Sequence, residues 1–201
     1  MSRNAHDTTP PGAAGPVVMF QSMLAAAWNV QGDPATSSIV EQVDRLFAVS
    51  LPLEPNTTRR DGPLLVFWLG PRSWLLIDAN ANGHLARLTD FDARRDLLNA
   101  AGGALFDVSA SRVAFTLRGA NAANVLERSC PLDFDLRSFA PGACAQSLLG
   151  RMAALYYRHA TTAAFTVMVA RSLGADAWHG LGVSAASDGF DIAAAMPFSV
   201  D

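Results

Sequence analysis

Apolar residues along this chain fall into short runs broken by glycine, proline and small polar clusters, and the spacing within the runs switches repeatedly between strand and helix periods. Residues 23–31 predict a first strand, ended by Gly32, Asp33 and Pro34. Ser38 and Glu41 have the spacing of a capping box. Ile39, Val43, Leu46 and Phe47 then recur at helical spacing, which predicts a helix over 39–49 that Pro52 stops. Residues 51–57, LPLEPNT, read as a proline-punctuated loop that runs on into polar Arg59, Arg60, Asp61 and Gly62. Residues 64–69 and 74–77 are two apolar strands joined by Gly70, Pro71, Arg72 and Ser73, the pattern of a β-hairpin. A loop begins over 80–83, after which Asp90 or Thr89 can cap a helix through Asp92, Leu97 and Leu98 that stops near Gly102.

The strand predicted over 104–108 closes this series, and a second series of the same kind follows. It has a strand over 112–117, a helix over 120–128, a Pro141-Gly142 turn, a hairpin over 148–169, a helix from Leu173 to about Ala185 with Ser172 as N-cap, and a short run over 190–193. Gly174, Gly180 and Gly182 each weaken the last helix by about 1 kcal/mol relative to alanine, so packing must hold it. The terminal MPFSVD is too short to assign. Both series have the split-βαβ order, which predicts an α+β fold of two duplicated ferredoxin-like βαββαβ halves, at about 23–109 and 111–194. They are expected to form a single domain over 17–201. Residues 1–16, with Pro10, Pro11, Gly12, Gly15 and Pro16, predict a flexible arm or an extended peptide lying on another protein.

Composition narrows the function. Of 201 residues 50% are hydrophobic and 16% charged, enough apolar surface for a substantial core. A net charge of -3, with no basic patch, argues against nucleic acid as a partner. All 15 basic residues are arginine, which excludes a lysine Schiff base and the lysine of a phosphate-binding loop. Two cysteines, Cys130 and Cys144, are too few for a disulfide framework and read as reduced thiols in a cytoplasmic protein. His6, His84, His159 and His179 lack the paired spacing of metal ligands. The longest apolar window, 17–30, is interrupted by Gln21, Ser22 and Asn29 and does not read as a membrane span. The apolar excess is then used inside the protein or against a partner.

The self-contained catalytic motifs, a G-x-S-x-G elbow, a G-x-G-x-x-G loop, H-E-x-x-H and a calcium loop, do not occur. Asp107, Ser109 and Ser111 have the makings of a nucleophilic site, but no histidine lies near them in sequence, and such a turn more often bonds its own backbone. Asp133 and Asp135 alternate with Leu132, Phe134 and Leu136, so an extended segment would aim both carboxylates one way for acid–base work, although a solvated edge is the commoner meaning. Trp68, Trp74 and Trp178 are candidates for an aromatic pocket around a pteridine ring, although such residues are more often core or interface anchors.

Taken together and in order, LPLEPNT (51–57), FWLGPRSWLL (67–76), GGALFDVSASRVAFTLRGANAANVLERSCPLDF (102–134), FAPGACAQSLLGR (139–151) and FTVMVARSLGADAWHGL (165–181) make the chain resemble the gamma subunit family of heterotetrameric sarcosine oxidase. The resemblance implies the fold of the folate-binding domain of the glycine-cleavage aminomethyltransferase. In that wider group an aspartate just after the Leu-Leu-Gly equivalent takes part in the tetrahydrofolate chemistry. Here the run reads Gly150, Arg151, Met152, Ala153, Ala154 and Leu155, with no carboxylate. The resemblance therefore implies a non-catalytic subunit with no catalytic, cofactor-binding or metal residue of its own. It would stabilise and assemble a complex that demethylates sarcosine oxidatively to glycine and passes the one-carbon unit to tetrahydrofolate. The alpha, beta and delta subunits would be its partners, carrying FAD, FMN, NAD, tetrahydrofolate and zinc, and Trp68, Arg72, Trp74 and Trp178 are the candidate partner-interface residues. Arg72 and Ser73 stand where the family more often has an acidic pair. The competing reading is an independent tetrahydrofolate-binding or one-carbon transfer protein of the same fold.

Overall fold

A computed structural model describes residues 17–80, 90–161 and 163–200. Several of its strands are apolar runs without alternation, and the reason is that both of their faces are covered. In β4 (Leu64–Gly70) and β5 (Ser73–Asp78), Leu64, Val66, Trp74 and Leu76 pack on one side, and Leu65, Phe67, Leu75 and Ile77 on the other. In β9 (Met152–Arg158) and β10 (Ala164–Ala170), Ala154, Tyr156, Phe165, Val167 and Val169 face one core while Leu155, Tyr157 and Met168 face another. Two sheets thus meet face to face over a shared core, and each carries helices on its outer face, giving four layers.

The smaller sheet has the order β3-β4-β5-β2-β6, with β2 at Ala26–Gln31, β3 at Thr58–Asp61 and β6 at Ala104–Asp107. Helices α1 (Ser37–Phe47) and α2 (Phe91–Ala100) cover it, burying Ile39, Val43, Phe47 and Leu98. Gly103 makes the approach of α1 possible, because a Cβ there would sit 2.5 Å from Ile39 Cδ1. The larger sheet has the order β11-β1-β7-β10-β9-β8, with β1 at Val17–Met23, β7 at Arg112–Arg118, β8 at Cys144–Leu149 and β11 at Phe190–Ile192. A short β12 (Met196–Pro197) also pairs with β1. Helices α3 (Ala122–Glu127) and α4 (Gly174–Ala185) cover the larger sheet. Among the described residues no helix is long and apolar enough to cross a membrane.

In both sheets the strand before the first helix lies beside the second strand of the hairpin, as in a ferredoxin-like order, and the two sheets differ in what lies on its other side. The first half closes with its own β6 against β2. The second closes with β1, from the other end of the chain, antiparallel to β7 with Phe20 opposite Thr116, and its own β11 lies outside β1 in parallel.

Four details depart from the sequence pattern. Residues 17–31 form two strands in different sheets, broken at Leu24 and Ala25, where one strand was expected over 23–31. The predicted hairpin over 148–169 is a three-stranded meander of β8, β9 and β10. The predicted capping box and the Ser172 N-cap do not form: Thr36 precedes α1 without a side-chain cap bond, Ser38 Oγ donates instead to the Ala101 carbonyl (3.1 Å), and Ser172 lies inside a 3₁₀ turn before α4. Polar β3 and terminal β12 were not expected as strands; Phe198 and Val200 follow β12 into the core between the sheets. The N-terminal arm, Thr89, His6 and His84 lie outside the described residues.

Candidate functional site

The segment from Cys130 to Ala143 is held by aromatic packing. Phe134 lies 5.4 Å, centroid to centroid, from each of Phe139, Tyr156 and Phe165, and Arg158 donates to the carbonyls of Phe134 and Phe139 at 3.0 Å each. With Phe134 pointing in, Asp133 and Asp135 point out, as their alternation predicts. Both are spent on turns. Asp133 accepts from the Asp135 N–H (2.9 Å) and Ser138 Oγ (2.6 Å), and Asp135 accepts from the Arg137 N–H (3.0 Å) and Nε (2.9 Å). The Ser138 hydroxyl lowers the pKa of Asp133 and the Arg137 backbone N–H lowers that of Asp135, so neither is tuned to act as an acid near neutrality. Asp107 also holds a turn, accepting from the Ser109 N–H (2.9 Å), while Ser109 Oγ accepts from the Ala27 N–H (3.0 Å) and Ser111 Oγ donates to the Val108 carbonyl (2.7 Å). The two serines lock the link between β6 and β7.

The three tryptophans do not converge. Trp68 and Trp74 are cross-strand neighbours under α1 and α2, whereas Trp178 is on α4, over the other sheet and 5.2 Å from the Phe115 ring. Trp74 is fully buried and donates Nε1–H to the Pro52 carbonyl (2.8 Å), so it supports the hairpin from inside and offers no surface to a partner. Trp68 and Trp178 are half-buried. Arg72, at the hairpin tip, pairs with Asp33 at 2.6 Å. A pteridine stacked among the three rings has no place in this arrangement. The run from Gly150 to Leu155 is a tight turn, Gly150 at φ +59°, leading into β9, where Ala154 and Leu155 are buried against opposite cores.

A polar chain invisible in the sequence crosses the larger sheet on the side facing the smaller one. Ser22 Oγ is 2.6 Å from Thr116 Oγ1, which is 2.7 Å from Thr166 Oγ1, which in turn is 2.8 Å from His159 Nε2. All four residues are buried, and the hydroxyls bond one another in the core, where an unmet polar group is costly. Both cysteines are free and buried. Burial pushes the Cys144 thiol up to about 12, and its Sγ lies 3.4 Å from the Thr57 carbonyl, so it stays protonated and unreactive. Among the described residues no group of three or more histidines, cysteines, aspartates or glutamates is placed to hold a metal.

Of the open hollows, one of about 550 Å³ lies between α1, the loop at Pro52 and Leu53, and β3, and another is a groove between α4 and the β1–β11 edge. A cavity of about 470 Å³, walled by Phe115, Trp178 and Ile192 and reached by Gln21 and Arg171, adjoins one of about 370 Å³ on the far side of Trp178 and Ile192, bounded by Val183 and Phe190. A smaller hollow of about 190 Å³, with Arg112 and Arg171 in its wall, continues it past Gln21. The lining residues come from four stretches of the chain, 19–24, 112–115, 171–186 and 190–195.

Residues 31–187 match the sequence pattern of the sarcosine oxidase, gamma subunit family. No curated protein sequence matches the chain. Its fold is similar to a chain of the heterotetrameric sarcosine oxidase from Corynebacterium sp. U-96 in complex with pyrrole 2-carboxylate, with a TM-score of 0.75 and 22% identity over 88% of each chain. It is also similar to the glycine cleavage system aminomethyltransferase T from Bartonella henselae, with a TM-score of 0.61 and 14% identity, covering 91% of this chain and 48% of that one. At these identities both are likenesses of fold.

Proposed function

The chain belongs to the sarcosine oxidase, gamma subunit family, and from that premise we propose that it is a non-catalytic subunit that stabilises and assembles a heterotetrameric sarcosine oxidase in the cytoplasm. In this reading alpha, beta and delta subunits are its partners. The complex converts sarcosine to glycine and passes the one-carbon unit to tetrahydrofolate, with FAD, FMN, NAD, tetrahydrofolate and zinc held on those other subunits.

The observation that carries the reading is the form of the run from Gly150 to Leu155. Where the wider group places its reacting carboxylate, this chain has a glycine turn and a strand whose alanine and leucine side chains fill two cores. The nearby aspartates support it, because each is committed to holding a turn in solvent. Co-expression of the full chain with its partner subunits tests the proposal: the chain is expected to elute in size-exclusion chromatography with a flavin-containing complex. Elution apart from the flavin would end it. Micromolar binding of tetrahydrofolate to the separate chain in calorimetry would favour an independent folate protein instead.

A further inference from the structure

We propose that the groove between α4 and the edge strand β11 holds a segment of a partner subunit that carries a carboxylate beside apolar side chains, with the carboxylate seated at Arg112 and Arg171. The proposal rests on the assembling role proposed above.

The shape favours a chain segment over a compact ligand. The cavities of about 470 and 370 Å³ share Trp178 and Ile192 as a common sill, so together they form an elongated trough open to solvent. Its walls are mainly apolar, and Val183 and Ile192 at its border are each 64% exposed, the most exposed of the large hydrophobic side chains among the described residues. Among the described residues no strand pairs with the outer edge of β11. Gly174 sets the width at the α4 end, since a Cβ there would lie 2.9 Å from Val113 Cγ1 and would push the helix away from β7.

The charge favours an acidic occupant. Arg72, Arg95, Arg128 and Arg137 each have a carboxylate partner. Arg112 and Arg171 have none among the described residues, yet they line the same hollow of about 190 Å³, and no carboxylate lines it with them. Arg171 is fixed in place, donating Nε–H to the Ala110 carbonyl (2.6 Å) and Nη2–H to the Arg112 carbonyl (3.2 Å). Arg112 is half-buried, and loss of water lowers the pKa of its guanidinium with no counter-charge to offset the cost. Two guanidinium groups at one end of an apolar trough match an aspartate or glutamate followed by apolar residues, because a carboxylate restores the hydrogen bonds and charge balance that burial removes.

The test uses the complex formed by the full chain with its partner subunits, with photo-reactive benzoylphenylalanine introduced at Ile192 and, as a control, at Leu136, which is 60% exposed and lines none of the groove's three hollows. Mass spectrometry is expected to find position 192 linked to one segment of a partner subunit bearing an aspartate or glutamate within about four residues, and no such link from position 136. Arg112→Gln with Arg171→Gln is expected to abolish the link and to lower retention of the chain in the complex by about tenfold or more, while Arg112→Lys with Arg171→Lys keeps part of it. Ile192→Asp, at an exposed position that leaves the core intact, is expected to lower retention as well. A complex that forms without a link from 192, or with a link to a segment lacking a carboxylate or to a second copy of this chain, overturns the inference and leaves the assembling role standing. If no complex forms, both fall.

Discussion

The two halves of the molecule share a strand order but close it differently. In the first half the strand after α2, β6, returns beside β2 and completes the sheet with residues close in sequence. In the second half the strand after α4 does not return beside β7. The place is taken by β1, and β11 makes only three parallel pairs on its far side, from Val17 with Phe190 to Met19 with Ile192. Because β1 and β2 belong to different sheets and only Leu24 and Ala25 separate them, the exchange ties the halves into one folding unit. It also leaves the second half with a short outer strand, an incompletely covered α4 and the open groove. The first half closes on itself and keeps a hollow beside Pro52, and the borrowed closure of the second creates the groove beside β11.

The sharpest way to break this comparison is to remove β1. Truncation through Met23 is expected to abolish cooperative unfolding of the second half in urea, read by circular dichroism, and a milder change, Met19→Ala at a buried position, to cost about 2–5 kcal/mol. A loss under 1 kcal/mol, by comparison with that range, would show that β11 can stand in for β1. Next in size is Thr166→Val, which takes a partner from both Thr116 and His159 and is expected to cost about 1–3 kcal/mol in chemical denaturation. Adding Thr116→Val is expected to recover part of that loss; a strictly additive double variant would mean that the chain is not cooperative.

The pH dependence separates core from surface. Cys144 has a folded pKa raised from 9.0 to about 12, so the unfolded state loses its proton first and stability falls as pH rises through that window, by about 1.4 kcal/mol per pH unit. Cys144→Ala is expected to remove the part of this slope that begins near 9.0 in pH-dependent urea unfolding, leaving above 10.0 the slope of Tyr156, whose pKa burial also raises. Asp133, Asp135 and Asp188 have lowered folded pKa values, so the stability they add is present above the ordinary carboxylate pKa and lost as pH falls through their folded values, below about 4. The smallest effect belongs to Arg72→Ala. Its pair with Asp33 is exposed, with side chains 71% and 39% accessible, and its loss is expected to cost under about 1 kcal/mol. If Arg72 meets a partner, the change will show in retention of the chain by the complex and leave unfolding nearly unaltered.

The hairpin of β4 and β5 was legible nearly to the residue because Gly70 and Pro71 punctuate two apolar runs, and α1 because Ile39, Val43 and Phe47 hold one face. The break after Met23 was not, since no glycine or proline marks it and both flanking strands are apolar. Strand β3 escaped because it is a polar edge strand with Arg59, Arg60 and Asp61 exposed, so it carries no hydrophobic period. Trp74 has the composition of an interface anchor, and only burial and its bond to Pro52 show that it belongs to the core. The groove was illegible for a further reason: Gln21, Arg112, Arg171, Trp178 and Ile192 are brought together by the exchange of β1, and nothing in a local stretch of sequence records that exchange. The turn role of Asp107, by contrast, followed from the habits of short polar side chains, whereas the alternation at Asp133 and Asp135 showed their exposure and not the turn bonds they accept.

The claim that this subunit assembles an enzyme without performing its chemistry is tested most directly by sarcosine turnover in the assembled complex. Asp107→Asn, Asp133→Asn and Asp135→Asn together neutralise the candidate acids of the chain at exposed turn positions. Turnover per bound flavin is expected to match that of the unaltered complex, even where the yield of complex falls. A fall of about tenfold or more in turnover per flavin, with the complex intact, would place a reacting group on this chain and contradict the account.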